Sequence, residues 1–281
     1  MGEAKRRRAE IGMLKRASGE ETACWRQSQN DEKRVAGGID LKSSDPEPVA
    51  AMARRLHAMF ETAKQDRNVD PPVKYLHAKV EQTIRDCGEV FGGVALACKK
   101  GCSHCCRVWI SATAPEVLSI AKVVKSRGGA VVDRLMAAHS QTKDHDFVAR
   151  SRHPYPCPML EQDICSIYES RPQPCRLAVS GDAQICERVF RNLSSEAIPI
   201  PRVYLMGKSV YSIALAIALK RSHLPHQGYE LNAALVRALD TEDAERAWLS
   251  GQDIFSGVMR DPVDVLASSR DAQMMFERAF A

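Results

Sequence analysis

The residues best suited to chemistry in this 281-residue sequence are its cysteines, because eight of the ten lie between positions 98 and 186. Thiolates bind zinc and iron, and two cysteines separated by two residues can direct both sulfurs at one ion while the intervening backbone amides face those sulfurs. Eight buried apolar cysteines would be an unusual concentration for one segment. The pattern therefore predicts a metal centre with the candidate ligands Cys98, Cys102, Cys105, Cys106, Cys157, Cys165, Cys175 and Cys186.

The number of metals and their identity stay open at this point. Four thiolates close a tetrahedral zinc site, and four also hold an iron–sulfur cluster, so eight can fill two sites or leave several thiols unused. Cys105 and Cys106 are consecutive, and consecutive side chains usually diverge. The pair therefore indicates two neighbouring metals, a cluster, or one ligand beside a free thiol. The expected cofactor is an iron–sulfur cluster or Zn²⁺, and no catalytic residue is identified.

Residues near the cysteines can compensate for the negative charge of a thiolate centre. Arg171 precedes a proline and is equally suited to anchoring a turn through backbone carbonyls, while Tyr168 is expected to pack beside the site. His104 is interpreted as solvent-facing, and Cys24 and Cys87 as ordinary thiols outside the pattern. Candidate cations for compensation are Lys99, Lys100, Arg107, Arg171 and Arg176. Surface positions without ligand spacing are His139, His145 and His153.

A combined motif runs through about a third of the chain. Its parts are Cys98-x3-Cys102-x2-Cys105-Cys106, Cys157-Pro-x-Leu160, Cys165-x-Ile167-Tyr168, Arg171-Pro172 and Cys175-Arg176. The motif resembles the cysteine-cluster proteins of the YkgJ type, a zinc- or iron-chelating family that includes flagellin lysine N-methylases. The resemblance implies metal chelation through these cysteines, and it implies no single reaction.

The elements that position the cysteines are predicted to be helices, because apolar residues recur at three- and four-residue spacing on both sides of the motif. Thr113-Ala-Pro-Glu116 is a capping-box pattern that starts one of them, and a turn at 161–163 indicates a small hairpin. The predicted helices cover about 46–70, 73–91, 114–125, 130–149, a long apolar segment from 203, 241–249 and a segment from Asp261. The expected fold is mainly α, a helical scaffold with a small irregular cysteine-rich insert and a minor β-hairpin.

Four segments follow from these patterns. Residues 1–48 are polar and carry two basic clusters, which predicts a flexible basic tail. Residues 49–97 are expected to form a helical segment, 98–190 a cysteine-cluster metal-binding domain, and 191–281 a C-terminal helical segment packed on it.

Composition excludes several classes of protein. With 44% hydrophobic and 27% charged residues, the chain is typical of globular proteins. No apolar run follows the N-terminal charges, and the longest run, 210–219, is shorter than the ~20 residues that span a bilayer. A cytoplasmic location without a membrane partner is therefore expected, and the reducing cytoplasm favours metal ligation over disulfides.

Three functions fit the pattern to different degrees. The first is a metal-binding protein whose centre is structural or supports binding to a protein partner. The second is an iron–sulfur-dependent enzyme, either a redox enzyme or one resembling the lysine N-methylases, although no Gly-rich nucleotide fingerprint is present. The third is a nucleic-acid-binding zinc module. The cysteine spacing and the distance of the basic clusters from the cysteines argue against nucleic acid, and no specific partner or substrate is identified.

Overall fold

The computed structural model describes residues 47–88 and 96–266, together with residues 274, 277, 279 and 280. The predicted tail lies almost wholly outside these residues. The helices are α1 Glu47–Asp66, α2 Asp70–Gly88, α3 Ala114–Arg127, α4 Gly129–Thr142, α5 Phe147–Arg152, α6 Gln173–Leu177, α7 Ala183–Phe190, α8 Arg202–Arg221, α9 Leu231–Asp240 and α10 Ala244–Leu249. The strands are β1 Ser111–Thr113, β2 Leu160–Glu161, β3 Ile164–Cys165 and β4 Gly228–Glu230. The prediction of a mainly α fold with minor β structure is confirmed.

The core of the scaffold is formed by α1, α2, α3, α8 and α9. The predicted apolar segment after residue 203 is α8, whose residues 213–219 are all buried. Met159, Ile167 and Leu177 come from the cysteine-rich segment and belong to the same buried cluster as the helices. The segment is therefore fixed to the scaffold by shared apolar burial, at roughly 25 cal/mol for each Å² removed from water.

The sequence predicted that Pro71 and Pro72 separate the first two helices, and this prediction is wrong. They lie in the first turn of α2, where a missing N–H costs nothing because the first N–H groups of a helix have no acceptor within it. The break precedes them, where the side-chain oxygen of Asn68 accepts from the Asp70 N–H at 3.0 Å.

Two other helix predictions are corrected by local capping. The predicted helix 130–149 is divided into α4 and α5, because the Asp146 carboxylate accepts from the Ala149 N–H at 2.7 Å and starts a new helix. No helix begins at Asp261 within the described residues 261–266. There the carboxylates of Asp261 and Asp264 accept from the N–H groups two residues later, which is an Asx turn. The remainder of that predicted helix lies largely outside the described residues.

The four short strands form two antiparallel pairs. In the hairpin, Leu160 of β2 pairs with Cys165 of β3. Gln162 and Asp163 have positive φ values of 50° and 62°, as the tight turn of a two-residue hairpin requires, so the turn predicted here is confirmed. β1 pairs with β4, with Ser111 opposite Glu230, which the sequence did not indicate.

Helix composition also bears on membranes. Among the residues that the structure describes, no helix is long and apolar enough to cross a bilayer.

Candidate metal centre

The first four cysteines lie on a loop of consecutive turns between residues 98 and 106. The Cys102 N–H donates to the Lys99 carbonyl at 2.9 Å, and the Cys106 N–H donates to the Ser103 carbonyl at 3.0 Å. Gly101, with φ of 87°, supplies the left-handed residue between them, a conformation that glycine adopts without steric cost. The loop folds back twice within nine residues, which concentrates its thiols.

The second cysteine group lies directly against this loop. The Cys157 N–H donates to the Cys106 carbonyl at 2.8 Å. The Ser103 hydroxyl donates to the carboxylate of Asp163 in the hairpin turn at 2.6 Å. Two stretches about fifty residues apart in the sequence therefore meet, as a shared metal centre requires.

A third connection joins the two ends of the cysteine-rich segment, at Cys98 and Cys186. The Ser180 N–H donates to the Cys98 sulfur at 3.3 Å, and the Ser180 carbonyl accepts from the Ala97 N–H at 2.9 Å. The Ser180 side chain is also within hydrogen-bonding reach of the Cys186 thiol. Ser180 thus brings the first and last cysteines together, a role that the sequence did not indicate because serine is common in loops.

The eight cysteines are all free thiols and differ in accessibility. Cys98 is exposed, Cys186 is buried, and the others are partly buried. Cys157 and Cys165 pack against the main apolar core. One side of the cysteine region therefore faces solvent, and the other faces the scaffold.

The environment disfavours isolated thiolates. Burial raises the pKa of Cys157 to about 11 and raises the pKa of Cys175 well above its ordinary value. A hydrogen bond with Cys106, together with burial, strongly raises the pKa of Cys105. A bound cation reverses this preference, because metal binding displaces the thiol protons and stabilises the thiolates.

Eight sulfur donors suit zinc or an iron–sulfur cluster. Within the described ranges, however, no three or more His, Cys, Asp or Glu side chains are grouped so that they could hold a metal ion. Ligation by the eight cysteines therefore stays a prediction, which rests on the donor chemistry and on the proximity of the thiols.

Arg171 is a cation that lies close to several of the thiols. Its guanidinium carbon lies 3.8 Å from the ring centroid of Tyr168, as a cation–π contact requires. Its charge lowers the pKa of Cys165 and of Cys175, against the larger effect of burial. Its Nε is buried and has no hydrogen-bond partner among the described residues. Of the two roles considered for Arg171, these contacts favour charge compensation.

Arg176 takes the other role, that of anchoring the turn. Its Nε donates to the Arg171 carbonyl at 2.9 Å, and its two terminal nitrogens donate to the Glu169 carbonyl and the Glu81 carboxylate. The Arg176 side chain is 4% exposed. It ties the 3₁₀ turn Tyr168–Ser170 to α6, next to Cys175.

The buried carboxylate of Glu116 also contacts α6, at the first residue of that helix. It accepts from His77 Nε2 at 3.1 Å, from the Gln173 N–H at 2.6 Å, and from the Thr113 N–H and hydroxyl at 3.1 and 2.7 Å. Burial alone would raise the pKa of Glu116, yet these hydrogen bonds hold the pKa below its ordinary value. The capping-box pattern revealed the bond to Thr113 but gave no sign of the long-range bond to Gln173, the first residue of α6.

The remaining candidates lie at the margin of the site. Tyr168 is 54% exposed and packs on Arg171. His153 is exposed, as predicted, whereas His104, His139 and His145 are partly buried, which corrects the prediction that they face solvent. Cys24 and the side chain of Cys87 lie outside the described residues.

These features define a class of protein in which a helical scaffold presents a cluster of free thiols and a compensating cation. Residues 97–189 match the family model CxxCxxCC, described as a "Putative zinc- or iron-chelating domain", so this segment is a cysteine-cluster domain of that family. Comparison with curated proteins and with solved structures gives no match.

Replacing Arg171 tests its electrostatic role. We expect Arg171→Gln to weaken zinc affinity about 10- to 100-fold, the usual cost of removing a group that supports metal ligands. Arg171→Lys should lose less, because it keeps the charge. Competition with a chromophoric chelator measures the affinity, and Arg246→Gln, at an exposed position of α10, is the matched control. Equal affinities for Arg171→Gln and the parent would contradict the role.

Proposed function

We propose that this protein chelates zinc or an iron–sulfur cluster in the cytoplasm through its eight clustered cysteines, as a member of the YkgJ-type cysteine-cluster group. The observation that carries the proposal is the meeting of three cysteine-bearing segments, the loop 98–106, the segment 157–175 and α7, through the direct hydrogen bonds described above. The family match over residues 97–189 supports the same chemistry.

In this proposal the helical scaffold holds the cysteines at defined positions. Shared core residues, the Glu116 hydrogen bonds and the Arg176 hydrogen bonds fix the segment that carries Cys165 and Cys175. The centre then stabilises the surrounding loops, because thiolates from distant parts of the chain bind common ions. A reducing compartment keeps these thiols available for metal.

An enzyme that uses an iron–sulfur cluster is the second candidate. The observation in its favour is the solvent exposure of Cys98 at the edge of the cysteine region. Cys98 is exposed, and it lies near the partly buried Tyr204, whose pKa is raised mainly by burial and further by the Cys98 thiol. A substrate could therefore reach the cysteine region from the side of Cys98.

Anaerobic purification followed by absorbance spectroscopy and metal analysis tests the proposal. We expect bound metal in the parent, visible absorbance if it is an iron–sulfur cluster, and colourless protein if it is zinc. Cys102→Ser and Cys165→Ser should each lower the metal content, because a hydroxyl is a poor replacement for a thiolate ligand. Cys24→Ser, outside both cysteine groups, is the control. Unchanged metal content in both cluster variants would reject the ligand assignment.

A further inference from the structure

Arg150 is a buried arginine that lies outside the cysteine motif. It belongs to the short helix α5 and is 2% exposed, although arginine is rarely buried so fully unless it is paired. Its terminal nitrogens donate to the His153 carbonyl at 3.2 Å and to the Tyr155 carbonyl at 2.7 Å. The guanidinium therefore holds the chain just after α5, in the segment that leads to Cys157.

The segment held by Arg150 bonds to the loop that carries the first cysteines. The Tyr155 N–H donates to the Arg107 carbonyl at 2.9 Å, and the Cys157 N–H donates to the Cys106 carbonyl at 2.8 Å. Tyr155 is thus held from two directions, by its carbonyl and by its N–H. A slip of the segment by one residue would break both bonds to the loop and move the Cys157 thiol by about 3.3 Å, more than the whole length of a zinc–sulfur bond of about 2.3 Å.

A buried carboxylate, Glu230, favours the charged form of Arg150. Burial lowers the pKa of Arg150, and the charge of Glu230 opposes this effect. Glu230 is 5% exposed and lies in β4, opposite Ser111 of β1. The two hydrogen bonds of Arg150, by contrast, go to backbone carbonyls of the segment before Cys157, and its Nε has no hydrogen-bond partner among the described residues. Arg150 therefore acts on the cysteine region through these two carbonyls.

We propose that Arg150 is a positioning residue for the metal centre, because its two carbonyl bonds fix residues 153–155 and so place Cys157 beside Cys106. This inference rests on the proposed function, since it explains how one thiol of that function is placed. Arg171 acts by its charge, whereas Arg150 acts through the backbone and requires the fork of donors that only a guanidinium offers.

Two readouts on the full chain test this role. Amide hydrogen exchange of the chain as purified, followed by NMR, should be faster at Tyr155 and Cys157 in Arg150→Met than in the parent, while the amides of α9 stay protected. Zinc affinity, measured by chelator competition under anaerobic, reducing conditions, should fall about 10- to 100-fold, the usual range for groups that orient metal ligands. Arg150→Lys should lose nearly as much, because one ammonium group cannot hold two carbonyls as a planar fork does.

A control variant separates positioning from general stability. Phe60 is fully buried in α1, where its ring packs against Trp248 at a centroid distance of 6.4 Å. Phe60→Leu should lower the stability of the scaffold and leave both the zinc affinity and the exchange at Tyr155 and Cys157 as in the parent.

The outcomes separate the role of Arg150 from chelation itself. Full zinc affinity in Arg150→Lys beside a large loss in Arg150→Met would show that Arg150 acts by charge, and would overturn the inference. Unchanged exchange at Tyr155 and Cys157, or an equal loss of zinc affinity in Phe60→Leu, would also overturn it. A parent that binds no zinc would instead reject the proposed function, while the exchange measurement gives its answer without added metal. If Arg150→Met fails to fold, Arg150→Lys decides by the same two readouts.

Discussion

Replacing Glu116 by alanine is expected to lower the free energy of unfolding by about 3–5 kcal/mol, the usual cost of removing one partner from a buried ionic network. The Glu116 side chain is 1% exposed. Its removal leaves His77, the Gln173 N–H and the Thr113 donors without their acceptor in a region that water does not reach. Urea unfolding of the chain as purified measures the loss. Glu61→Ala, at a 45% exposed carboxylate paired with Lys64, is the control and should cost about 1 kcal/mol or less.

The pH dependence of stability distinguishes the charge of Glu116 from its packing. Because the folded-state pKa of Glu116 is below its ordinary value, its carboxylate contributes stability above the unfolded pKa of about 4.3. That contribution is lost as the pH falls through the folded pKa. Glu116→Gln should therefore be less stable than the parent at neutral pH, and the difference should narrow below about pH 4. A difference that stays constant with pH would contradict an ionised Glu116.

Glu116 also links scaffold stability to the metal centre. Its bond to the Gln173 N–H fixes the first residue of α6, and Cys175 lies two residues further along this helix. We expect Glu116→Ala to weaken zinc affinity as well as stability. A variant that loses stability but keeps full zinc affinity would show that α6 is held in place by its other contacts alone.

The sequence predicted those parts of the fold that depend on local patterns. The long amphipathic helices and the hairpin turn at 161–163 follow from periodicity and turn residues, which act over a few positions. The position of Pro71 in the helix rather than before it depends on where the preceding turn closes, and Asn68 decides that. The break before α5 likewise depends on whether Asp146 caps a helix or faces solvent within one. The spacing of apolar residues does not show whether a side chain such as Asn68 or Asp146 will bond to the backbone and end or start a helix.

At the candidate site, the sequence predicted which residue types take part, but not which distant residues they contact. The spacing of the cysteines predicted them as metal ligands, and Arg171 was recognised as a candidate cation. The division of roles between Arg171 and Arg176 was not recognised, because both arginines lie in the same short motif and only the fold shows which one reaches the carbonyls. The contact of Ser180 with Cys98 and the bond of Glu116 to Gln173 were also missed, because these partners lie 82 and 57 residues apart along the chain.

Replacing Arg176 by methionine is the second change for which we expect a large effect. Methionine fills similar apolar volume but leaves the carbonyls of Glu169 and Arg171 without their donor. Hydrogen bonds to charged groups contribute about 1.5–3 kcal/mol each, so the loss of these bonds predicts a decrease of about 3 kcal/mol in the free energy of unfolding. Glu81 is 43% exposed, and water can solvate it after the change.

Arg176→Lys should recover only part of this loss, because one ammonium group cannot reproduce the fork of donors that contacts three acceptors at once. Zinc affinity should fall with stability, since Arg171 directly follows the released turn and Cys175 comes four residues later. Arg188→Met is the matched control, because Arg188 also forms a two-bond contact, with Glu196, but both side chains are exposed. Full stability in Arg176→Met, or equal losses in the two methionine variants, would show that Arg176 does not anchor the cysteine-rich segment. A loss of stability in Arg176→Met but not in Arg188→Met would show that this buried guanidinium holds the turn 168–170.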